Sequence, residues 1–318
     1  MAGWPRPDPV AWALGVALGL ALLALLPLTR QGGQSVYRYI AVVDITRSMN
    51  VEDYRHDGRA ASRLEFVKGA LRRLVAELPC GSRFGLGVFT ERHSTLLFEP
   101  IETCQGFPLI AAALEQLDWR MAWAADSRIA AGLLDALEIL GGYDAELIFL
   151  TDGHEAPPLN PRYRPSFTAL RGRLRGVVVG VGGLAPRPIP KFDEQGRRLG
   201  VVLPDEVPHR STFGLPELPP EAIEGYHARN APFGTQEVPA SEHLSALREE
   251  YLQQLAGEAG LAYHRLESAQ GLVGAVLRPD WARAEPLRVD LRPWPAGLAL
   301  GALTAAYLIG GFFFTLRR

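Results

Sequence analysis

Apolar runs alternate with helical stripes along the middle of the chain. Strands are predicted at Val36–Val43, Arg83–Phe89, Ser94–Phe98, Glu146–Leu150, Leu174–Val181 and Leu261–Arg265. Arg63 to Leu78 carries Leu64, Val67, Leu71, Leu74, Val75 and Leu78 at helical spacing, with Arg and Lys assigned to the opposite side. Further helices are predicted at Gly106–Leu117, Ser127–Leu140, Phe167–Arg173 and Ser241–Glu258. Gly182–Ala240, including the Pro-rich LPELPP, reads as a long loop with a hairpin around Asp193–Gly196.

Strands separated by helices imply an α/β, doubly wound, Rossmann-like domain with a mostly parallel central sheet. The short strand at Ser94 has no helix before it and is expected to pair antiparallel at an edge. Ligands of such sheets bind beyond the carboxyl ends of strands. Asp44 and Asp152 stand at two of those ends.

The two ends of the chain follow another pattern. Val10–Leu28 and Ala296–Leu316 carry no charge, and each is long enough to cross a hydrocarbon core of roughly 30 Å. They predict transmembrane helices at 10–28 and 296–316, with a tail at 1–9 and the domain at 36–277 between them. A cleaved signal peptide is the alternative for the first. Against it, the run exceeds the roughly 7–15 residues of a signal core and no A-x-A-like site follows. Arg317-Arg318 places the termini in the cytoplasm and the middle across the membrane, the periplasm of a bacterium. Gly15/Gly19 and Gly297/Gly301 form G-x-x-x-G pairs suited to close helix packing.

Composition narrows the classes. The net charge of −2 over 318 residues gives no argument for nucleic acid. Cys80 and Cys104 lack a C-x-x-C spacing, so zinc and thioredoxin-like readings are unsupported. Both cysteines fall at the amino edge of the predicted sheet. A disulfide and two separate buried thiols remain open.

Asp44, Thr46 and Ser48 follow one strand, and Asp152 follows another. They offer only oxygen, which suits a hard divalent cation, Mg²⁺ or Ca²⁺. Two carboxylates balance a +2 ion and hydroxyls fill further positions, leaving the ion open to a carboxylate from another protein.

The pattern D-x-T-x-S after an apolar strand, with TDG after a later one, resembles the metal-ion-dependent adhesion site (MIDAS) of von Willebrand factor A (VWA) domains. The resemblance covers about Val36 to Leu277. It implies a divalent ion held by Asp44, Thr46, Ser48, Ser127 and Asp152, with Ser127 standing where the family supplies a threonine. Thr46 replaces a serine, the glycines before Ser127 are missing, and Asp126 adds a carboxylate beside it. One VWA domain between two spans resembles membrane VWA proteins of the Bat (aerotolerance) type, as does GVGGLAPRPIPKFDEQGRRLG. VDITRSMNVEDY is most similar to MxaL-type accessory proteins of methylotrophic bacteria. That resemblance implies maturation or calcium loading of periplasmic methanol dehydrogenase, alongside other membrane VWA accessory proteins and a MoxR-type AAA+ ATPase. A Bat-type stress complex with another client is the alternative.

Enzymatic readings are weaker. No nucleophile elbow is visible, and GVGGLAP has no clear following helix. DGHEAPP lacks the second His of a zinc helix, and Pro157-Pro158 break the helix it needs. His154 is expected at the surface or rim of the site rather than as a ligand. A metal-dependent hydrolase is the least supported reading, since no base is placed beside the site. The chain is expected not to be an enzyme.

Overall fold

The structure, a computed structural model, describes residues 9–56, 58–122, 126–156, 164–206, 212–213, 236–237 and 242–315. Most of the predicted tail, Pro157-Pro158, the LPELPP segment and Arg317-Arg318 lie outside them. The chain divides into two compact units, Val36–Ala282 and the two terminal segments Met1–Ser35 with Arg283–Arg318.

The larger unit is built on six strands: β1 (Arg38–Asp44), β2 (Arg83–Thr90), β3 (His93–Glu102), β4 (Glu146–Thr151), β5 (Gly176–Gly180) and β6 (Ala262–Arg265). Their order is β6-β5-β4-β1-β2-β3. All neighbours pair in parallel except β2 and β3, whose antiparallel pairing makes β3 the edge. The four inner strands are buried on both faces, apart from Arg38 and Arg83 at their starts, which explains their apolar sequences. Along β1, alternation sends Tyr39, Ala41 and Val43 to one core and Ile40 and Val42 to the other.

Helices α2 (Arg63–Glu77), α3 (Thr103–Glu115) and α6 (Ala269–Val276) contribute to the first core. Helices α4 (Ile129–Leu140) and α5 (Glu249–Ala259) contribute to the second. Ser62 caps α2 by accepting the Glu65 N–H, and Ser268 caps α6 by accepting that of Gly271. Gly132 lets α4 lie directly on the sheet, because a Cβ there would stand 2.1 Å from the Phe89 ring.

Several predicted elements differ. Phe167–Arg173 forms hydrogen-bonded turns rather than a helix. The helix expected from Ser241 starts only at Glu249. Ahead of it, Leu244–Ser245 pairs with Arg187–Pro188, and Leu247 N–H bonds the Gly183 carbonyl. Tertiary hydrogen bonds outcompete helix propensity there. Strand β3 is twice the predicted length. It runs into Glu102, whose carboxylate accepts the Cys104 and Gln105 N–H groups and starts α3 three residues early. The hairpin around Asp193–Gly196 is present: Pro190–Phe192 pairs with Arg198–Val201, and Asp193 Oδ1 accepts the Gln195 and Arg197 N–H groups.

Cys80 and Cys104 are joined in a disulfide. Glu102 lies close enough to both sulfurs to resemble a metal cluster, but the disulfide leaves no thiolate for a cation.

In the smaller unit, α1 (Pro9–Ala24) packs on α7 (Pro293–Thr315), and Thr29–Val36 pairs with Arg283–Asp290. Among the described residues no helix is long and apolar enough to cross a membrane, so the two predicted spans find no support there. The first helix stops at Ala24, four residues short of the predicted end. A Cβ on Gly15, Gly19, Gly297 or Gly301 would meet nothing within 4 Å. The glycine pairs are therefore not the seam; among the described residues, those buried in this pair are Ala17, Ala299 and Ala306.

Candidate metal centre

Strand β1 ends in Asp44, and the chain enters a short 3-10 turn at Arg47–Asn50. Ile45 and Met49 are drawn into the core, fully buried. Between them, Thr46 and Ser48 turn their hydroxyls back toward Asp44 and each other. Asp44 Oδ1 accepts both the backbone N–H of Thr46 at 2.8 Å and its hydroxyl at 2.7 Å. Thr46 Oγ1 lies 3.3 Å from Ser48 Oγ. The other carboxylate oxygen, Asp44 Oδ2, accepts Thr151 Oγ1 at 2.6 Å. Asp44 is fully buried. Burial, and then the charge of Asp152, push its carboxyl up to about 7 despite these donors.

Asp152 leaves β4 one residue beyond Thr151. Its Oδ1 accepts the His154 N–H at 2.9 Å. Its Oδ2 accepts Arg63 Nη1 at 2.5 Å and Ser245 Oγ at 2.9 Å. Burial alone would raise this carboxyl. The Arg63 charge, helped by His154 and the Ser48 hydroxyl, holds it below the ordinary carboxylate range instead.

Ser127 is fixed by its backbone. It exchanges hydrogen bonds with Ala156 (2.7 and 2.8 Å), while the next N–H, of Arg128, bonds the Glu91 carbonyl at 2.5 Å. Its buried hydroxyl has no hydrogen-bond partner among the described residues. Asp126 is buried beside it, with Oδ2 3.9 Å from Arg128 Nε.

The structure therefore links four of the five predicted ligands, Asp44, Thr46, Ser48 and Asp152, in one buried cluster at the carboxyl edge of the sheet. Ser127, in the neighbouring loop, is not hydrogen-bonded to it. The residues fit a hard cation: the donors are all oxygen, and among the described residues Asp44 has no cationic partner and the buried Ser127 hydroxyl has no hydrogen-bond partner.

Four participants escaped the sequence reading. Arg63 was assigned to the solvent side of α2, yet it is fully buried. Its Nε and Nη2 hold Asp53, Nη1 holds Asp152 and Ser245 Oγ, and Nη2 reaches the Ser245 carbonyl. A cation in the first turn of a helix opposes the helix dipole, and that was the available signal. Asp53, Thr151 and Ser245 carried none, because only the fold brings them to Arg63 and Asp44. His154, expected at the surface or rim, is buried, and burial lowers its imidazole pKa. Its Nδ1 has no hydrogen-bond partner among the described residues.

A doubly wound sheet with a buried aspartate–hydroxyl cluster at its carboxyl edge places that cluster where ligands of open α/β sheets bind. A family model of the von Willebrand factor type A domain matches residues 39–154, and the chain carries a VWA domain. No curated protein matches the chain.

Solved structures to which the chain is similar include an aerotolerance-related membrane protein from Bacteroides fragilis. It is 15% identical, with 76% of this chain and 96% of that chain covered and a TM-score of 0.48. A second is the conserved hypothetical protein BatB from Bacteroides thetaiotaomicron, 18% identical over 76% and 95%, with a TM-score of 0.47. A third is proximal thread matrix protein 1 of the mussel byssus with a zinc-occupied MIDAS motif, 16% identical over 48% and 39%, with a TM-score of 0.34.

Proposed function

We propose that this chain is a binding protein, not an enzyme, whose site presents a divalent cation, Mg²⁺ or Ca²⁺, to an acidic residue of a protein client. The observation that carries this is the buried all-oxygen cluster at Asp44, Thr46, Ser48 and Asp152, together with the Ser127 hydroxyl, which has no hydrogen-bond partner among the described residues. When bound, the ion supplies an open coordination position for a carboxylate. Asp44 and the three hydroxyls would hold it, and Asp152 would act through its charge and through Ser48.

The first client to test is periplasmic methanol dehydrogenase during calcium loading. Its support is the resemblance of VDITRSMNVEDY to MxaL-type proteins. Other membrane VWA proteins and a MoxR-type ATPase are the expected co-workers. We place the chain in a bacterial inner membrane with its VWA domain in the periplasm. The support is the uncharged helix pair α1/α7, whose Trp12, Leu18, Leu300 and Tyr307 are all more than half exposed.

The test is capture of methanol dehydrogenase by the full chain, with and without EDTA and with Asp44→Ala. Capture that needs both the cation and Asp44 is expected. Capture unaffected by EDTA and by Asp44→Ala overturns the cation bridge. Cation-dependent capture of a different client leaves the bridge standing and overturns the methanol dehydrogenase assignment.

A further inference from the structure

Two carboxylates facing a +2 ion would leave it neutral within the protein. The structure changes that balance. One oxygen of Asp152 already receives two donors, Arg63 Nη1 at 2.5 Å and Ser245 Oγ at 2.9 Å, and the guanidinium is fully buried. A carboxylate oxygen has two lone-pair positions, so Asp152 Oδ2 is saturated. The other face of Arg63 is taken by Asp53, with Nε 3.0 Å and Nη2 2.7 Å from Oδ2.

The surroundings are shaped to this guanidinium. Gly182 has φ +115°, and a Cβ there would stand 2.6 Å from Arg63 Nε. Gly183 N–H donates to Asp53 Oδ2 at 2.9 Å. Asp53, Arg63 and Asp152 thus form one buried chain of alternating charge whose last member borders the cation cluster.

We propose that Arg63 sets the charge of the cation site, with Asp53 as its counterweight. Arg63 occupies one oxygen of Asp152 and offsets part of its field, so Asp44 supplies more of the charge that the cation meets than Asp152 does. Asp53 offsets part of the Arg63 charge from behind without touching the cation. The pair fixes how strongly the site prefers a divalent over a trivalent ion, because the energy of each charge scales with the charge on the ion. Arg63 is a positioning residue here and not a ligand. The inference rests on the cation-site reading above.

The experiment is titration of the full-length chain in detergent with Mn²⁺ and, separately, with Tb³⁺, with Asp44→Ala defining the site-specific signal. Arg63→Gln is expected to tighten Mn²⁺ binding by about tenfold or more, equivalent to about 1.4 kcal/mol, and Tb³⁺ binding by a larger factor. Asp53→Asn is expected to do the reverse, weakening both, Tb³⁺ more than Mn²⁺. Damage to the fold would weaken both ions in both variants and would not move their ratio in opposite directions. A folded Arg63→Gln protein with unchanged or weaker Mn²⁺ binding overturns the proposal. If Arg63→Gln does not fold, Asp53→Asn decides: an unchanged Mn²⁺/Tb³⁺ ratio overturns it. Wild-type protein that binds neither ion at Asp44 overturns the cation-site reading itself.

Discussion

Thr151 Oγ1 donates to Asp44 Oδ2 at 2.6 Å, tying the ends of two neighbouring parallel strands together inside the candidate site. The same hydroxyl accepts the Gly153 N–H at 3.0 Å, so it also sets the turn that carries Asp152. Thr151→Val keeps the shape of the side chain and deletes both bonds. It leaves a buried carboxylate oxygen and a buried N–H without partners, at about 1–3 kcal/mol for each such group. The expected result is a lower urea midpoint with an unchanged m-value, together with weaker cation binding.

The raised Asp44 carboxyl makes stability depend on pH in a defined direction. Its folded value, about 7, lies above the unfolded one near 3.8. Its contribution is therefore fully present below about pH 4 and is lost as pH rises through 7. At about 1.4 kcal/mol per unit the loss reaches about 4 kcal/mol as an upper figure. Asp152 is shifted downward, so its own window lies below pH 4 and does not overlap. Glu155, also raised by burial, shares the direction of Asp44. Metal-free protein is expected to melt at lower temperature at pH 8 than at pH 5. Added Mg²⁺ should raise the melting temperature more at pH 8, where no proton competes. In Asp44→Asn the Mg²⁺ effect disappears and the pH slope shrinks to the share of the remaining groups.

Gly182→Ala tests how tightly Arg63 is enclosed. Its φ of +115° is strained for any other residue, and the added Cβ would collide with the guanidinium. The expected cost is about 2 kcal/mol or more, read from chemical denaturation. Cation affinity should change with it, since Arg63 must move relative to Asp152. Gly172→Ala is the control: its φ is also positive, at +73°, but open space surrounds it. It should lose stability without altering cation affinity.

Cys80 and Cys104 are separated by 24 positions. Closing a loop of that size is worth about 3 kcal/mol on the chain-entropy account. Cys80 lies just before β2 and Cys104 in the first turn of α3, at the edge of the sheet opposite Asp44. Reduction or a Cys80→Ser/Cys104→Ser double variant should lower the urea midpoint and leave Mn²⁺ affinity unchanged. A change in affinity would mean that the two edges are coupled.

The proposed membrane placement has its own check. The full chain should sediment with membranes and resist alkaline carbonate, and removing residues 1–28 and 296–318 should release it. Gln195→Cys, at the exposed tip of the hairpin, should react with a membrane-impermeant maleimide from the periplasmic side of intact cells. Reaction only after lysis would reverse the orientation.

Strand positions and fold class were legible because β1, β2, β4 and β5 are covered on both faces and must be apolar. The Asp-x-Thr-x-Ser run was legible because it is local: one turn brings all three side chains to one point. The start of α5 was misread because Ser245 and Leu247 make tertiary hydrogen bonds that no periodicity encodes. Arg63 was misread because its neighbours, Asp53, Asp152 and Ser245, lie 10, 89 and 182 positions away.

Residue order is enough to read the layers of the domain, the strand ends at Asp44 and Asp152, and the oxygen donors gathered there. Each depends on which residue types alternate or follow one another within a few positions. Which of these charges are already paired emerges only when the chain folds. A guanidinium reads as a solvent-facing cation until the fold buries it between two carboxylates. Burial then turns Asp152 from a free negative charge into one already paired.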